Sequence, residues 1–129
     1  MILLIDSSTP ICHIEIYKAG IKIHEDNWQA DRSLAEGIYT YLEDQLRMCG
    51  KTLRDISGIG VFKGPGSFTG LRIGAVVCNT IASEMKIPIV GVTNDEWQSL
   101  ALERIHSGES DEIVLPFYGR DARITTPMK

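Results

Sequence analysis

A short polar segment, Asp6-Ser7-Ser8-Thr9, follows the uniformly apolar residues 2–5 near the start of the chain. In two-lobed phosphotransferases, a loop of this kind holds the phosphates of a nucleotide, and its aspartate orients a metal ion or a water molecule. The alternative is an ordinary turn, in which the carboxylate and the hydroxyls accept hydrogen bonds from nearby backbone N–H groups. Taken alone, these four residues favour the turn.

The most specific segment of the sequence is Lys63-Gly64-Pro65-Gly66-Ser67-Phe68-Thr69-Gly70-Leu71-Arg72-Ile73-Gly74. A glycine-rich loop in front of a helix can bind an anion through free backbone N–H groups and the positive end of the helix dipole. The segment lacks the Gly-Lys-Ser/Thr of a Walker loop and the spacing of a dinucleotide-binding fingerprint. Its chemistry therefore has to be argued from its geometry.

The spacing of the same segment allows a second interpretation. Small residues recur at every fourth position, namely Gly66, Gly70, Gly74, Cys78 and Ala82. On a helix, this spacing produces a stripe of small side chains that another element can approach closely. Because each glycine inside a helix costs about 1 kcal/mol relative to alanine, a compensating contact is expected. That contact is either with the chain's own sheet or with a helix of another subunit, and composition does not decide between them.

Other kinds of catalytic site find little support in the sequence. A ribonuclease-H-type nuclease needs several carboxylates around metal ions. Asp6 offers one, but residues 63–66, which follow the predicted fourth strand, contain no acid. His13, His24 and His106 lack metal-ligand spacing, and the first two are expected on solvent faces of strands. No serine or cysteine nucleophile can be paired with a histidine from the spacing.

Length and composition indicate a single globular domain. The chain has 129 residues, of which 43% are hydrophobic and 23% charged. A net charge of −4 argues against binding of a nucleic-acid backbone by this chain alone. The three cysteines are far apart and form no C-x-x-C motif, which favours a reducing cytosol over a disulfide framework. We expect no membrane-spanning segment, and the short apolar start reads as a strand and not a signal peptide.

Periodicity and turn residues predict a succession of strands and helices. Ser33 and Glu36 have the spacing of a capping box and mark the start of the first helix. Small residues and glycines mark the other boundaries. The predicted strands lie at about residues 2–5, 11–17, 21–24, 58–62, 87–92 and 112–115, and the predicted helices at 34–49, 75–86 and 93–105.

This order, β-β-β-α-β-α-β-α-β, predicts an α/β fold. Strands joined by short turns are antiparallel neighbours, and strands joined through helices are parallel. A five-stranded mixed sheet flanked by helices is the ribonuclease-H-like plan, which is also one lobe of the actin, Hsp70 and sugar-kinase plan. We assign residues 1–115 to this lobe and residues 116–129 to an irregular C-terminal tail.

The chain resembles the TsaB (YeaZ) family. The resemblance rests on Asp6-Ser7-Ser8-Thr9 after the first strand, on residues 64–74 after the fourth, and on Ile87-Pro88-Ile89-Val90-Gly91-Val92 in the fifth. It covers almost the whole chain. The family is related to TsaD, the catalytic subunit, and to the actin-like ATPases.

The resemblance implies a scaffold role in the complex that forms N6-threonylcarbamoyladenosine at adenosine 37 of tRNAs reading ANN codons. The partners would be a TsaD-like catalytic subunit and a TsaE-like ATPase, with a homodimer in isolation and only indirect contact with tRNA. The chain alone would bind no cofactor tightly, ATP and Mg²⁺ would act at the level of the complex, and the location would be cytoplasmic. The implied contact residues are Ser67, Phe68, Gly70, Leu71, Arg72, Gly74 and Cys78, and the implied vestigial phosphate loop is Asp6, Ser7, Ser8 and Thr9.

Two features depart from the family pattern. Members usually carry a histidine near the start of the first helix, where this chain has Asp31-Arg32-Ser33-Leu34. A typical member also continues into a second lobe of similar size. The alternative function is a nucleotide-binding phosphotransferase or ATPase lobe that uses Asp6 and the loop of residues 64–74, with a second lobe supplied by another chain.

Overall fold

A computed structural model describes residues 1–118 of the chain. Short 3₁₀ turns at Asp31–Ser33 and Leu53–Asp55 precede α1 and β4. None of the helices in residues 1–118 combines the length and the apolar character that crossing a bilayer requires. The strands and α-helices are β1 (Ile2–Asp6), β2 (Ile11–Lys18), β3 (Ile21–Gln29), α1 (Leu34–Met48), β4 (Gly58–Phe62), α2 (Phe68–Met85), β5 (Ile89–Val92) and α3 (Trp97–His106).

The strands form one mixed sheet in the order β3-β2-β1-β4-β5. The central strand β1 is antiparallel to β2 and parallel to β4, so that Leu3 lies opposite Ile16 on one side and Ile59 on the other. Strand β5 is parallel to β4. The tight connections between the first three strands and the helical crossovers after them account for these directions. The predicted five-stranded mixed sheet with flanking helices is confirmed.

The two faces of the sheet carry separate cores. On one face, α1 and α2 cover a large cluster that includes Leu3, Ile14 and Ile59. On the other face, α3 covers a smaller cluster in which Leu4 meets Trp97. The alternation in β2 is as predicted, since its even-numbered residues 12, 14 and 16 all enter the larger core.

The start of α1 differs from the prediction. The Ser33 side chain makes no capping hydrogen bond, and its backbone at φ −93° and ψ 5° already approaches the helical region. A capping box requires an extended N-cap residue, so Ser33 cannot serve as one. The chain enters α1 through the 3₁₀ turn, where Asp31 adopts φ +48°. A genuine capping box occurs instead at Thr52 with Asp55.

Two helix starts, one predicted strand and one side-chain placement also differ. Helix α2 begins at Phe68 and not at residue 75, because Ser67 caps it and its glycines pack closely enough to offset their low helix propensity. Helix α3 begins at Trp97 and not at residue 93. Residues 112–115 form no strand. His24 lies half-buried beneath α1, with its Nε2 2.6 Å from Gln45 Oε1, and not on a solvent face.

Side chains and a short backbone contact cover the outer edge of β5 in place of the predicted sixth strand. The Gly91 N–H donates to Asp111 Oδ2 at 2.8 Å, and the Ile89 N–H donates to Ser110 Oγ at 3.2 Å. The Asp111 N–H in turn donates to the Ile89 carbonyl at 2.7 Å. Because these groups satisfy the edge hydrogen bonds, the strand is protected from pairing with another chain.

Arg104 of α3 binds both Asp111 and β5 and so holds Asp111 against this edge. Its Nη2 donates to Asp111 Oδ1 at 2.6 Å, and its Nη1 donates to the Gly91 carbonyl at 3.1 Å. Burial alone would raise the pKa of Asp111, but the hydrogen bonds from Arg104 and the Gly91 N–H outweigh it and hold that pKa below its ordinary value. The carboxylate is therefore stabilised in its charged form in the folded protein.

We expect Asp111→Asn to lower the free energy of unfolding at neutral pH by about 1–2 kcal/mol, the usual range for a lost charge-assisted hydrogen bond. Because the folded-state pKa is lowered, the contribution of Asp111 is fully present above the ordinary aspartate pKa of about 4 and is lost as the pH falls through the folded value. Urea unfolding of the wild type and the variant at several pH values measures the difference.

The exposed Asp95 provides the control, since Asp95→Asn removes the same charge from the surface. The stability difference between Asp111→Asn and the wild type should begin to shrink below about pH 4 and vanish only below the lowered folded-state pKa of Asp111. A stability difference that stays constant down to low pH would show that Asp111 acts through packing and not through its charge.

Candidate functional site

The glycine-rich segment folds as a tight loop followed directly by α2. Ser67 is the N-cap of the helix, and its Oγ accepts a hydrogen bond from the Gly70 N–H at 3.2 Å. The Ser67 N–H donates to the Ser8 carbonyl at 2.8 Å. The two motifs singled out in the sequence therefore meet, because the loop after β1 packs against the first turn of α2.

Glycines in α2 allow this close approach. The Ser7 Oγ donates to the Gly70 carbonyl at 2.7 Å in the interior. A Cβ atom added at Gly70 would collide with the Ser7 carbonyl oxygen, and one added at Gly74 would collide with Ser7 Oγ. The low helix propensity of both glycines is thus compensated by a contact within this chain.

Four of the seven implied contact residues lie inside the protein and not on its surface. Gly70, Leu71 and Gly74 are buried, and Cys78 is 0% exposed within the larger core. Burial, and to a smaller extent the neighbouring Cys12, raises the pKa of the Cys78 thiol to about 12, so it stays neutral. The stripe packs on the chain's own sheet because the loop after β1 occupies the space that another subunit would need.

The opposite side of α2 is exposed and partly apolar. Phe68 is 55% exposed and Val76 is 62% exposed. The Arg72 guanidinium lies over the Phe68 ring, 5.2 Å from its centroid, and Tyr118 packs on the same ring at 4.6 Å. Among the predicted contact residues, Ser67, Phe68 and Arg72 are exposed, and their binding to a partner stays a prediction.

A groove of about 360 Å³ runs between α1 and α2 beside these residues. It is open to solvent and mainly apolar, as a surface that receives another protein's side chains would be. We call the exposed side of α2 together with this groove the α1–α2 face. The groove is lined by Ala35, Thr69, Arg72, Ile73, Val76 and Val77.

In the predicted phosphate loop, the polar groups bond to the chain itself. Asp6 Oδ1 accepts from the Ser8 N–H at 2.9 Å, which makes an Asx-type turn. Thr9 Oγ1 donates to the Ile11 carbonyl at 3.0 Å and accepts from the Ile11 N–H at 3.1 Å. Ser7 is buried on α2, as described above. The geometry therefore matches the turn interpretation of this segment.

A larger cavity of about 710 Å³ opens between this loop, the 3₁₀ turn at Asp31–Ser33 and the first turn of α2. Thr9, Arg32 and Thr69 are among the residues that line it. Cys12 does not line this cavity; it is buried, and burial together with the nearby Asp6 raises the pKa of its thiol to about 12. The thiol is therefore protonated and not reactive at neutral pH.

Sequence reasoning missed the side chain that ties the end of the described chain to α2. Asn79 Nδ2 donates to the Val114 carbonyl at 2.9 Å, and the Val114 N–H donates to Asn79 Oδ1 at 2.8 Å. Beyond it, the Phe117 N–H donates to the Lys63 carbonyl at 2.7 Å. Residues 116–118 of the predicted tail are in neither a helix nor a strand, and residues 119–129 lie outside the described part of the chain, so the irregular tail stays a prediction. Asn79 is one of several polar residues on α2, so its position along the sequence did not single it out.

A family model and a solved structure both match this chain. The family model described as "TsaD: tRNA N6-adenosine threonylcarbamoyltransferase" matches residues 28–123. The chain belongs to this family. YeaZ from Pseudomonas aeruginosa has a similar structure, with a TM-score of 0.66 and 27% identity over 72% of this chain and 43% of that chain. The ribonuclease-H-like plan of this family is thus confirmed.

Within the family, the matches to TsaB proteins cover most of the chain. The tRNA threonylcarbamoyladenosine biosynthesis protein TsaB of Bacillus subtilis is 32% identical over 122 residues, which is 95% of this chain and 50% of the relative. TsaB of Haemophilus influenzae is 28% identical over 109 residues, covering 84% and 46%. The tRNA N6-adenosine threonylcarbamoyltransferase of Geotalea uraniireducens is 36% identical, but over only 57% of this chain and 21% of the relative. These matches confirm the predicted assignment to TsaB (YeaZ), and the chain spans about half the length, or less, of these relatives.

We expect Gly74→Ala to destabilise the fold by about 1–3 kcal/mol, the usual effect of overpacking, because the new methyl group would collide with Ser7 Oγ. Removal of the Ser7 side chain should relieve this collision. The double variant Ser7→Gly/Gly74→Ala is therefore expected to be more stable than the sum of the two single changes predicts. Urea unfolding of the wild type, both single variants and the double variant gives the four free energies of unfolding that this double-mutant cycle needs.

If the effects of Ser7→Gly and Gly74→Ala on the free energy of unfolding were strictly additive, the close contact between Ser7 and Gly74 would be contradicted. The same would hold if Gly74→Ala unfolded at the same denaturant concentration as the wild type, because the helix would then have room for a side chain on the Ser7 side.

Proposed function

We propose that this chain is a non-catalytic scaffold subunit in the formation of N6-threonylcarbamoyladenosine at adenosine 37 of tRNAs that read ANN codons. In this role it binds a TsaD-like catalytic subunit through the α1–α2 face. The single observation that carries the proposal is an exposed apolar helix face on a lobe of the TsaD family, with Phe68 55% and Val76 62% exposed.

The similarity of the chain to both TsaB and TsaD proteins supports this mode of binding. A partner with the same fold presents an equivalent pair of helices, so the two faces can meet around an approximate two-fold axis. The same argument predicts a homodimer when the partner is absent. Homodimer and heterodimer would then compete for one surface.

The chemistry of the loop after β1 supports a non-catalytic role. The hydroxyls of Ser7 and Thr9 are hydrogen-bonded to backbone carbonyls, and Asp6 accepts from the Ser8 N–H. The thiols of Cys12 and Cys78 are buried and neutral. A scaffold needs none of these groups for chemistry, and their hydrogen bonds and burial fit that role.

The remaining partners follow from the same proposal. A TsaE-like ATPase joins the complex, and ATP and Mg²⁺ act there without binding tightly to this chain alone. A net charge of −4 favours contact with tRNA only through the basic surfaces of other subunits. The complex would work in the cytoplasm.

Substitution of an outward-facing residue of α2 tests the binding surface. We expect Val76→Glu to weaken the association with a TsaD-like subunit by about a hundredfold or more, because an unpaired carboxylate buried in an interface costs about 3 kcal/mol or more. The homodimer should be lost as well. Since Val76 is 62% exposed, the fold of the isolated chain should be unaffected. Sedimentation velocity of the chain alone and with the TsaD-like subunit measures both associations.

Ile21→Glu is the matched control, since Ile21 is 67% exposed and lies on the edge strand β3, away from the α1–α2 face. The control should bind like the wild type. If Val76→Glu still formed the complex, or if Ile21→Glu alone abolished it, the binding surface would lie elsewhere.

The alternative function, a nucleotide-binding phosphotransferase or ATPase lobe, makes a different prediction. A scaffold should show no tight binding of Mg-ATP in isothermal titration calorimetry, and Asp6→Ala should change nothing in that measurement. Tight binding with turnover by the isolated chain, lost in Asp6→Ala, would replace the scaffold proposal with the enzyme.

A further inference from the structure

A cluster of ligand-type side chains lies on the hairpin of β2 and β3, on the face of the sheet opposite to α1 and α2. His13 Nε2 is 2.8 Å from Glu15 Oε2 and 3.5 Å from Glu25 Oε2. One atom from each of these three residues lies within 4.8 Å of the other two. The cluster is remote from the α1–α2 face and takes no part in the proposed scaffold function.

The strand register brings the two carboxylates together. Glu15 lies directly opposite Glu25, and His13 lies opposite Asn27. Like charges in directly opposite positions destabilise an antiparallel pair. Lys22 Nζ already lies 2.8 Å from Glu25 Oε1, and a cation bound between the Glu15 and Glu25 carboxylates would offset their repulsion further. The imidazole nitrogen is directed at the gap between the two carboxylates, where such a cation would bind.

The surrounding side chains orient all three groups. His13 Nδ1 is 2.6 Å from Asn27 Oδ1, so the amide oxygen accepts the Nδ1 hydrogen and Nε2 faces the carboxylates. The Tyr17 hydroxyl donates to Glu15 Oε1 at 2.8 Å, and Lys22 Nζ donates to Glu25 Oε1 at 2.8 Å. Glu15 Oε2 and Glu25 Oε2 remain directed at His13 Nε2, and Gln98 Nε2 of α3 makes a longer contact of 3.4 Å with Glu15 Oε2. This arrangement, in which outer residues hold the ligands in place, is typical of protein metal sites.

Burial and access also suit a bound ion. The Glu15 side chain is only 5% exposed, whereas those of His13 and Glu25 are 22% and 46% exposed. One ligand is therefore fixed in the protein, and the other two can admit an ion from solvent. Solvent can supply the remaining ligands.

We propose that His13, Glu15 and Glu25 form a binding site for a divalent transition-metal ion of the zinc class. Zinc binds imidazole nitrogen and carboxylate oxygen at about 2.0–2.2 Å, which places neighbouring ligand atoms about 3.0–3.4 Å apart, so small side-chain movements suffice. The ion replaces the hydrogen on His13 Nε2, and that proton leaves to solvent. The imidazole ligand favours zinc, nickel or cobalt over magnesium and calcium, which prefer oxygen ligands alone.

Isothermal titration of ZnCl₂ into the full 129-residue chain tests the site. Cys12 and Cys78 are buried but Cys49 is partly accessible, so the titrations use a Cys49→Ser background to remove a competing thiolate. We expect one zinc ion per chain, and a loss of affinity of about tenfold or more in His13→Gln and in Glu25→Gln. Glu25 is the safer position because its side chain is 46% exposed, so its replacement should leave the fold intact.

His106→Gln removes an exposed histidine at the end of α3 and is the matched control, expected to bind zinc like its parent. In ¹⁵N NMR spectra, zinc should shift the Nε2 resonance of His13 and leave that of His106 unchanged. No binding at about 1 mM zinc would overturn the proposal, since that concentration exceeds the expected dissociation constant of a three-ligand site. Equal affinity in the parent, His13→Gln and Glu25→Gln would overturn it as well and indicate an adventitious ion only.

Discussion

The contact between Ser7 and α2 is the constraint on which the rest of the structure depends. The Ser7 side chain donates to the Gly70 carbonyl inside the protein, and both Gly70 and Gly74 must lack a side chain for the loop after β1 to fit. This contact joins two segments 63 residues apart. It places the N-terminus of α2 over the end of the central strand, and the larger core between α2 and the sheet can then close.

This contact also determines which side of α2 is available to other molecules. Once the small residues face inward, the helix presents Phe68, Arg72 and Val76 to solvent next to α1. A single helix therefore serves two purposes, with close packing on one side and a partly apolar surface on the other. Polar groups of the loop after β1 help to hold this arrangement, because Ser7 donates to the Gly70 carbonyl and Ser8 accepts from the Ser67 N–H.

The two edge strands of the sheet, β5 and β3, are protected from pairing in different ways. At β5, Ser110 and Asp111 satisfy backbone groups that a sixth strand would otherwise pair, and Arg104 anchors them to α3. At the opposite edge, β3 carries Glu25, whose carboxylate lies 2.8 Å from Lys22 Nζ on the same strand and 3.5 Å from His13 Nε2 on β2. Hydrogen bonds therefore close the β5 edge, whereas charged side chains protect the β3 edge from pairing with another strand.

The sequence by itself determined the fold class, the five strands of the sheet and the family, because the alternation and the apolar runs are local properties and the motif of residues 64–74 is long. It did not determine the orientation of α2, since a four-residue repeat of small side chains looks the same whether it faces the chain's own sheet or another subunit. The tertiary structure decided this through the position of Ser7. It also decided that Asp111 replaces a strand and that Glu25 joins His13, because both depend on strand register and on contacts between distant residues, which local spacing does not encode.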